Sequence, residues 1–428
     1  MDTDIRAILA EAALGAPAPA PMTDGMRSAV RRRRRRIASF AGALIVVAGA
    51  GSFAAVDRLW RPVDVANRDC GGSWVVTTPT IPTTSTAPVG VTLRGGVIAG
   101  ESGYWIVGDE YGAGKGIAVV VQGDGSDWTR RDIPHVAGNP DGVSIAGSGD
   151  NIWVGGYRSS YDQSSTKTTV EPVLMQWDGA TWQTVAPPPV PPDATIGTLA
   201  VRGTRIVVAG TSTVARREGS SWIQVSETPF LADRIAGGPW RSFSLPDLRG
   251  DYSIRQIVIG PSGRLILQTR GRGGAGIVVQ EGAGWRILTP PGKPIAHADI
   301  VSARDIWASR TFVVPADDHV ELLHFDGRIW RTYRVPAKGT GVVNAIAGGP
   351  GGDAWIVASG SAGRGLRAPP EDALWHFDGK HVREERIEFP GHVRSIASIE
   401  IDATGRGIAV GFGTTGPTTT GNLVLLRC

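Results

Sequence analysis

"VELLHFDGRIWRTY" (320–333) sets the grammar of this chain. An apolar run leads to Asp326-Gly327, two variable residues follow, and Trp330 opens a second alternating run. Asp-Gly between two such runs marks a tight reversal between antiparallel strands, because these residues suit turn backbone. The phrase returns as "HFDGKHVREE" (376–385) and "QWDGATWQTV" (176–185). Looser forms are "QGDGSDWTRR" (122–131), "QEGAGWRILT" (280–289) and "RREGSSWIQV" (216–225). A catalytic motif is written once. A phrase written six times is architecture.

A second phrase precedes each copy. "SIAGSGDNIWVGG" (144–156), "LAVRGTRIVVAGT" (199–211), "IVIGPSGRLILQT" (257–269), "IVSARDIWASR" (300–310) and "AIAGGPGGDAWIVAS" (345–359) each read as two short strands around a turn. Weaker forms at 96–109 and 398–412 bring the number to seven. Two strands plus two strands, seven times over, predict an all-β, seven-bladed β-propeller with four-stranded blades. A lone blade cannot bury both faces, so neighbours stack around an axis. Trp153, Trp307 and Trp355 are expected on second strands between blades. Trp128, Trp182, Trp222, Trp285 and Trp330 are expected on outermost strands, where large flat rings suit sheet-on-sheet packing.

The seventh unit stops three strands in, at Cys428. Its missing strand is written at the other end, where "CGGSWVVT" (70–77) carries Trp74 after two glycines. The N-terminal strand is therefore expected to close the last blade and remove two open sheet edges. That register brings together the chain's two cysteines, Cys70 and Cys428, and predicts a disulfide between them.

Residues 1–36 hold eight arginines, six of them consecutive (Arg31–Arg36), against four acidic residues. The remainder is charge-balanced, so the basic pI belongs to a tail and gives no reason to expect nucleic acid as a partner. An uncharged run, 37–56, follows the arginines. Twenty helical residues at about 1.5 Å each span roughly one hydrocarbon core. The expected organisation is a cytoplasmic tail (1–36), one transmembrane helix (37–56), a juxtamembrane linker (57–69) and an extracytoplasmic propeller (70–428) held at the cell membrane. The positive-inside rule sets the orientation, and Arg31–Arg36 would lie near anionic lipid. A cleavable signal peptide is the rival reading of 37–56.

On these repeats the chain resembles kelch and galactose-oxidase-type propellers, and the whole resembles membrane-anchored propeller proteins of high-GC actinobacteria. That likeness implies fold rather than activity. The chain lacks the regular double glycine of kelch repeats and any copper-ligand constellation.

No metal-ligand spacing, phosphate loop or nucleophile elbow occurs, so no catalytic residue, metal or cofactor is expected. His324 and His376 hold equivalent repeat positions, and Asp178, Asp326 and Asp378 read as turn formers. What varies is the loop between second and third strands. Long loops on a rigid ring are where recognition concentrates. The candidate contacts on that face are Tyr111, Tyr157, Arg158, Tyr161, Arg310, Phe312, Arg364 and Arg367. Residues 226–251 read as the longest insertion.

The resulting expectation is a non-catalytic recognition module for an envelope glycan, peptide or protein. One alternative is a transmembrane sensor whose residues 1–36 engage a cytoplasmic regulator such as a sigma factor. Another is an envelope hydrolase or lyase.

Overall fold

The computed structural model describes residues 74–77, 81 and 90–427, apart from short stretches at 101–102, 113–114, 126, 132, 134–143, 163–166, 219–220, 246–247, 249–251, 272–273, 289, 291–294, 311–318, 337–341, 360–371, 386, 388–391 and 415–419. The chain divides into Met1–Ala66 and Asn67–Cys428, and the second unit holds every described strand.

Seven antiparallel meanders form in chain order: blade 1 (90–131), blade 2 (144–185), blade 3 (194–242), blade 4 (252–288), blade 5 (295–336), blade 6 (342–385) and blade 7 (392–427). Their first strands, from Gly90–Ala99 to His392–Ile401, each touch the next, and the last touches the first, so they line a closed axis. Blade 7 takes its fourth strand, Trp74–Thr77, from the start of the unit. Trp74 pairs with Arg427 as Trp330 pairs with Phe325 in blade 5. The expected closure is therefore present. Cys70, Cys428 and the expected span at 37–56 lie outside the described residues. Among the described residues no helix is long and apolar enough to cross a membrane.

The core is distributed in the same way. Seven apolar clusters occur among the described residues, one at each junction between neighbouring blades. At the junction of blades 1 and 2, Trp105, Trp177 and Trp182 meet edge to face at 5.4–5.9 Å. Trp307 and Trp355 are almost wholly buried between blades, as their repeat position predicts. Burying a side chain of this kind stabilises by roughly 1.5–3 kcal/mol, so the junctions hold the ring together.

Among the described residues, six first strands carry a β-bulge, which sharpens their twist around the axis. The second-strand residue facing the bulge must be small where the backbones close in. At Gly210 an added Cβ would lie 1.7 Å from the Thr195 carbonyl oxygen.

Blade 3 corrects the reading of residues 216–251. Ser221–Ile235 is its third strand, paired along its whole length with Arg205–Glu218. Trp222 is therefore not on an outermost strand, and the Gly219-Ser220 connection joins the second and third strands. The outer turn is Ala236-Gly237, both with positive φ (49° and 74°), leading to Trp240 and the two-residue strand Arg241–Ser242. Residues 226–242 are thus regular blade, not insertion. "EGSSW" imitates the turn phrase by having a Trp four residues after an acid, while the true turn has no Asp.

Candidate functional site

Each blade sends its 1–2 and 3–4 turns to one face of the ring. Its 2–3 loop and the link to the next blade go to the other. These are called the turn face and the loop face below.

On the turn face the recurrent charges are consumed by the fold. Asp178 Oδ1 accepts from the amides of Ala180 and Thr181 at 2.9 and 2.8 Å, and its carboxyl is held down at about 2 by those bonds. Asp326 and Asp378 bind their own turns in the same way and are likewise lowered. Positive φ falls on Gly179, Gly327 and Gly379 alone, so the aspartate serves as amide acceptor rather than as a left-handed residue. His324 lies flat on Trp307 at 3.9 Å and meets Asp305 at 2.9 Å. His376 repeats this on Trp355 at 4.1 Å. Both histidines are packed structural groups.

On the loop face two β-ribbons extend past the ring from adjacent blades. In blade 2, Asn151–Asp162 and Lys167–Trp177 pair as far as Asp162↔Lys167, while among the described residues the flanking strands pair only as far as Gly155 and Leu174. In blade 3, Arg205–Glu218 and Ser221–Ile235 continue beyond Ser212, where the first strand ends. Asp193, with φ of 56°, ties the base of the first ribbon by accepting from the Val170 amide at 3.2 Å.

Of the eight candidate contacts, Tyr157, Arg158 and Tyr161 lie on the blade 2 ribbon. Arg158 is exposed and paired across the ribbon with Glu171. Arg310 ends the second strand of blade 5, opposite the bulge, at the place Gly210 holds in blade 3. It is largely buried and paired with Glu321, so it is drawn into the ring rather than presented. Tyr111 is the last residue but one of the second strand of blade 1, Gly103–Gly112. Phe312, Arg364 and Arg367 lie outside the described residues.

Sequence reasoning missed the axis. A cavity of about 720 Å³ occupies the turn-face end of the channel, lined by all seven first strands, by Asp305 and by the turns that follow the first strands of blades 6 and 7. Its charged lining is Arg202, Asp299, Asp305, Glu400 and Asp402. Asp299 bridges three blades, accepting from Gln256 Nε2 at 2.6 Å and from the Gly348 amide at 2.8 Å. Asp402 is bound by its own turn and by Arg406 at 3.0 Å. Glu400 has no hydrogen bond or ion pair to any described residue. It is partly open to the lumen, yet protein surrounds it. Enclosure, with Asp299 and then Asp402 nearby, pushes its carboxyl up to about 8. Enclosure also raises Asp299 above the usual carboxylate range. The available signal was the acid-in-apolar spacing of "IEID" (399–402) and "ADIV" (298–301), where the described first strands otherwise carry no acid.

Neither a family model nor a curated protein matches this chain. Solved structures do. YCF48 bound to D1 peptide is 12% identical and covers 83% of this chain and 96% of its own, with a TM-score of 0.50. YCF48 from Cyanidioschyzon merolae is 14% identical, with coverages of 83% and 98% and a TM-score of 0.50. The likeness shows the fold. A puromycin-hydrolyzing peptidase of Mycobacterium tuberculosis is 12% identical over 82% of this chain and 54% of its own, at a TM-score of 0.45. The kelch and galactose-oxidase resemblance rests on the repeats alone.

Proposed function

We propose that this protein is a non-catalytic binding module for a peptide or protein, tethered to the membrane and facing outward, with the loop face of blades 2 and 3 as its contact surface. The observation that carries the reading is the pair of neighbouring ribbons standing clear of a closed, rigid ring. A ribbon beyond the last ring strand offers backbone edges and exposed side chains such as Arg158 to an extended partner. The turn-face aspartates and histidines, by contrast, are occupied in folding. A propeller of the same fold is described as bound to a peptide, which fits this use of the ring.

Tethering rests on the sequence: six arginines before an uncharged run of membrane length. The Cys70–Cys428 disulfide belongs to the same proposal. The pairing of Trp74 with Arg427 puts the two strand ends where the other blades have a hairpin turn, and the cysteines flank that break in the sequence.

The test is a photo-crosslinking residue at position 159 in the full chain, in membranes, with position 287 on an outermost strand as control. A specific adduct from 159 that is absent from 287 and is lost when 221–228 on the neighbouring blade 3 ribbon is replaced by a Gly-Ser linker supports the reading. Equal labelling from both positions rejects it. Protease added from outside should digest the propeller and spare an epitope before residue 30. The reverse pattern overturns the orientation.

A further inference from the structure

The axial cavity lies on the opposite face from the ribbons and does not depend on their role. Three of its four carboxylates have protein partners: Asp299 the neighbouring blades, Asp305 His324, and Asp402 its turn and Arg406. The one guanidinium of the lining, Arg202, donates to the Ile259 carbonyl at 3.0 Å. Glu400 alone stands in the lumen without a partner, facing a field its neighbours make negative. Low-dielectric walls of sheet concentrate that field rather than screening it. A carboxyl so placed is left with two ways to relieve the repulsion: keep its proton, or take a cation.

We propose that this cavity is a binding site for an organic cation, a guanidinium or ammonium group entering from the turn face, with Glu400 as its counter-charge. Among the described residues no three carboxylate, histidine or cysteine side chains converge as metal ligands, which favours a hydrogen-bonding cation over a metal ion. A planar guanidinium suits a carboxylate through two parallel N–H···O bonds. The space, about 720 Å³, admits a whole basic side chain with part of the chain that bears it. The exchange balances simply. The cation enters, the Glu400 carboxyl gives up its proton to water, and the carboxylate and cation pair in its place.

The exchange dictates a pH dependence. The charged groups of the lining are Arg202, Asp299, Asp305 and Asp402 besides Glu400 itself, and the last is the group that ionises near neutrality. While Glu400 is mostly protonated, the binding-competent fraction grows about tenfold per pH unit, and apparent affinity follows it. The gain should end above about pH 8.

The experiment is calorimetric titration of the full chain, in detergent or nanodiscs, with N-acetyl-arginine methylamide from pH 6 to 9. N-acetyl-norleucine methylamide, apolar and of similar length, is the control. The expected result is binding of the arginine amide only, with affinity rising about tenfold per unit from pH 6 to 7 and levelling off above about 8. Close to one proton should be released at pH 6.5, read from the heat in buffers of different ionisation enthalpy. Glu400→Gln, checked for an unchanged circular dichroism spectrum, should abolish both the proton release and the pH slope. Carbon-13 titration of the wild-type glutamate carboxyl gives a readout that needs no variant: the ligand should lower its midpoint. No binding of the arginine amide, equal binding of the norleucine amide, or a slope that survives in Glu400→Gln each overturns the proposal.

Discussion

Blades 5 and 3 build the same sheet from different residues. In blade 5, Asp305 at the head of the second strand holds His324 on the third, and Trp307 lies under the imidazole. In blade 3 the polarity is reversed: Arg205 takes the aspartate's place and Asp233 the histidine's, with Val207 where the tryptophan was. Asp233 is fully buried and also receives Arg241 at 2.8 and 2.9 Å. The outer turn is Asp326-Gly327 in one and Ala236-Gly237 in the other, yet Trp330 and Trp240 follow each at the same remove. Both blades therefore keep an ionic tie across the second and third strands in different chemistry, while blade 2 holds the neutral pair Asn151 and Gln176 at the same places. Both reversals carry positive φ and are followed by a tryptophan, a place that Val382 takes in blade 6.

The sharpest way to break the comparison is at the buried ring. Trp307→Ala should cost about 3–5 kcal/mol in denaturant unfolding, since Trp307 is stacked on His324 and edge-on to Phe377. Val207→Ala should cost clearly less. Equal losses would mean that the position rather than the residue holds the junction.

Next comes the tie itself. Asp233→Ala strands Arg205 beside a hydrophobic junction and should cost about 2–4 kcal/mol, less than a fully buried pair because Arg241 is well exposed. The double change Arg205→Asp with Asp233→His, which imports the pair of blade 5, should recover part of that loss. No recovery would show the ties are not interchangeable. Gly210→Ala should cost about 1–3 kcal/mol, because its Cβ meets the backbone of the bulge. Arg310→Ala, at the matching place in blade 5, should cost less.

Two carboxylates then separate the rim from the axis by the sign of their pH response. Glu400 is raised in the fold, so the unfolded chain releases its proton first. Stability should fall as pH rises from about 4.5 to about 8, and Glu400→Gln should remove that slope. Asp178 is lowered, so its contribution is present above about 4 and lost as the pH falls toward 2. Asp326→Ala turns the blade 5 reversal into that of blade 3. It should have the smallest effect of all, confined to neutral pH and fading in acid. Thermal unfolding across pH 2–9 reads all three.

The same contrast explains what the sequence disclosed. Blade 5 was legible because "HFDGRIW" states turn, acceptor and aromatic together. Closure was legible because Trp74 follows two glycines as Trp330 follows Asp-Gly. Blade 3 was misread because Trp222 sits four residues after Glu218, while Ala236-Gly237 carries no acid and its strand is two residues long. The ribbons were anticipated only as loops, since polar Ser and Thr runs conceal strand pairing beyond the ring. The axial carboxyls showed in the sequence only as single acids in "IEID" and "ADIV", with nothing to say that they meet. Which acids of seven separate strands converge depends on rotation about an axis that no local pattern records.

One consequence follows from the strand Trp74–Thr77 lying beside Thr420–Arg427. The earliest strand of the ring waits for the latest, so a ribosome delivers every other blade before this one can be whole. Until then the opening segment travels without its mate and the circle stays a crescent. A chain stalled or clipped short of that final strand would leave an edge at each horn of the crescent, and so announce its own incompleteness to whatever surveys unfinished proteins.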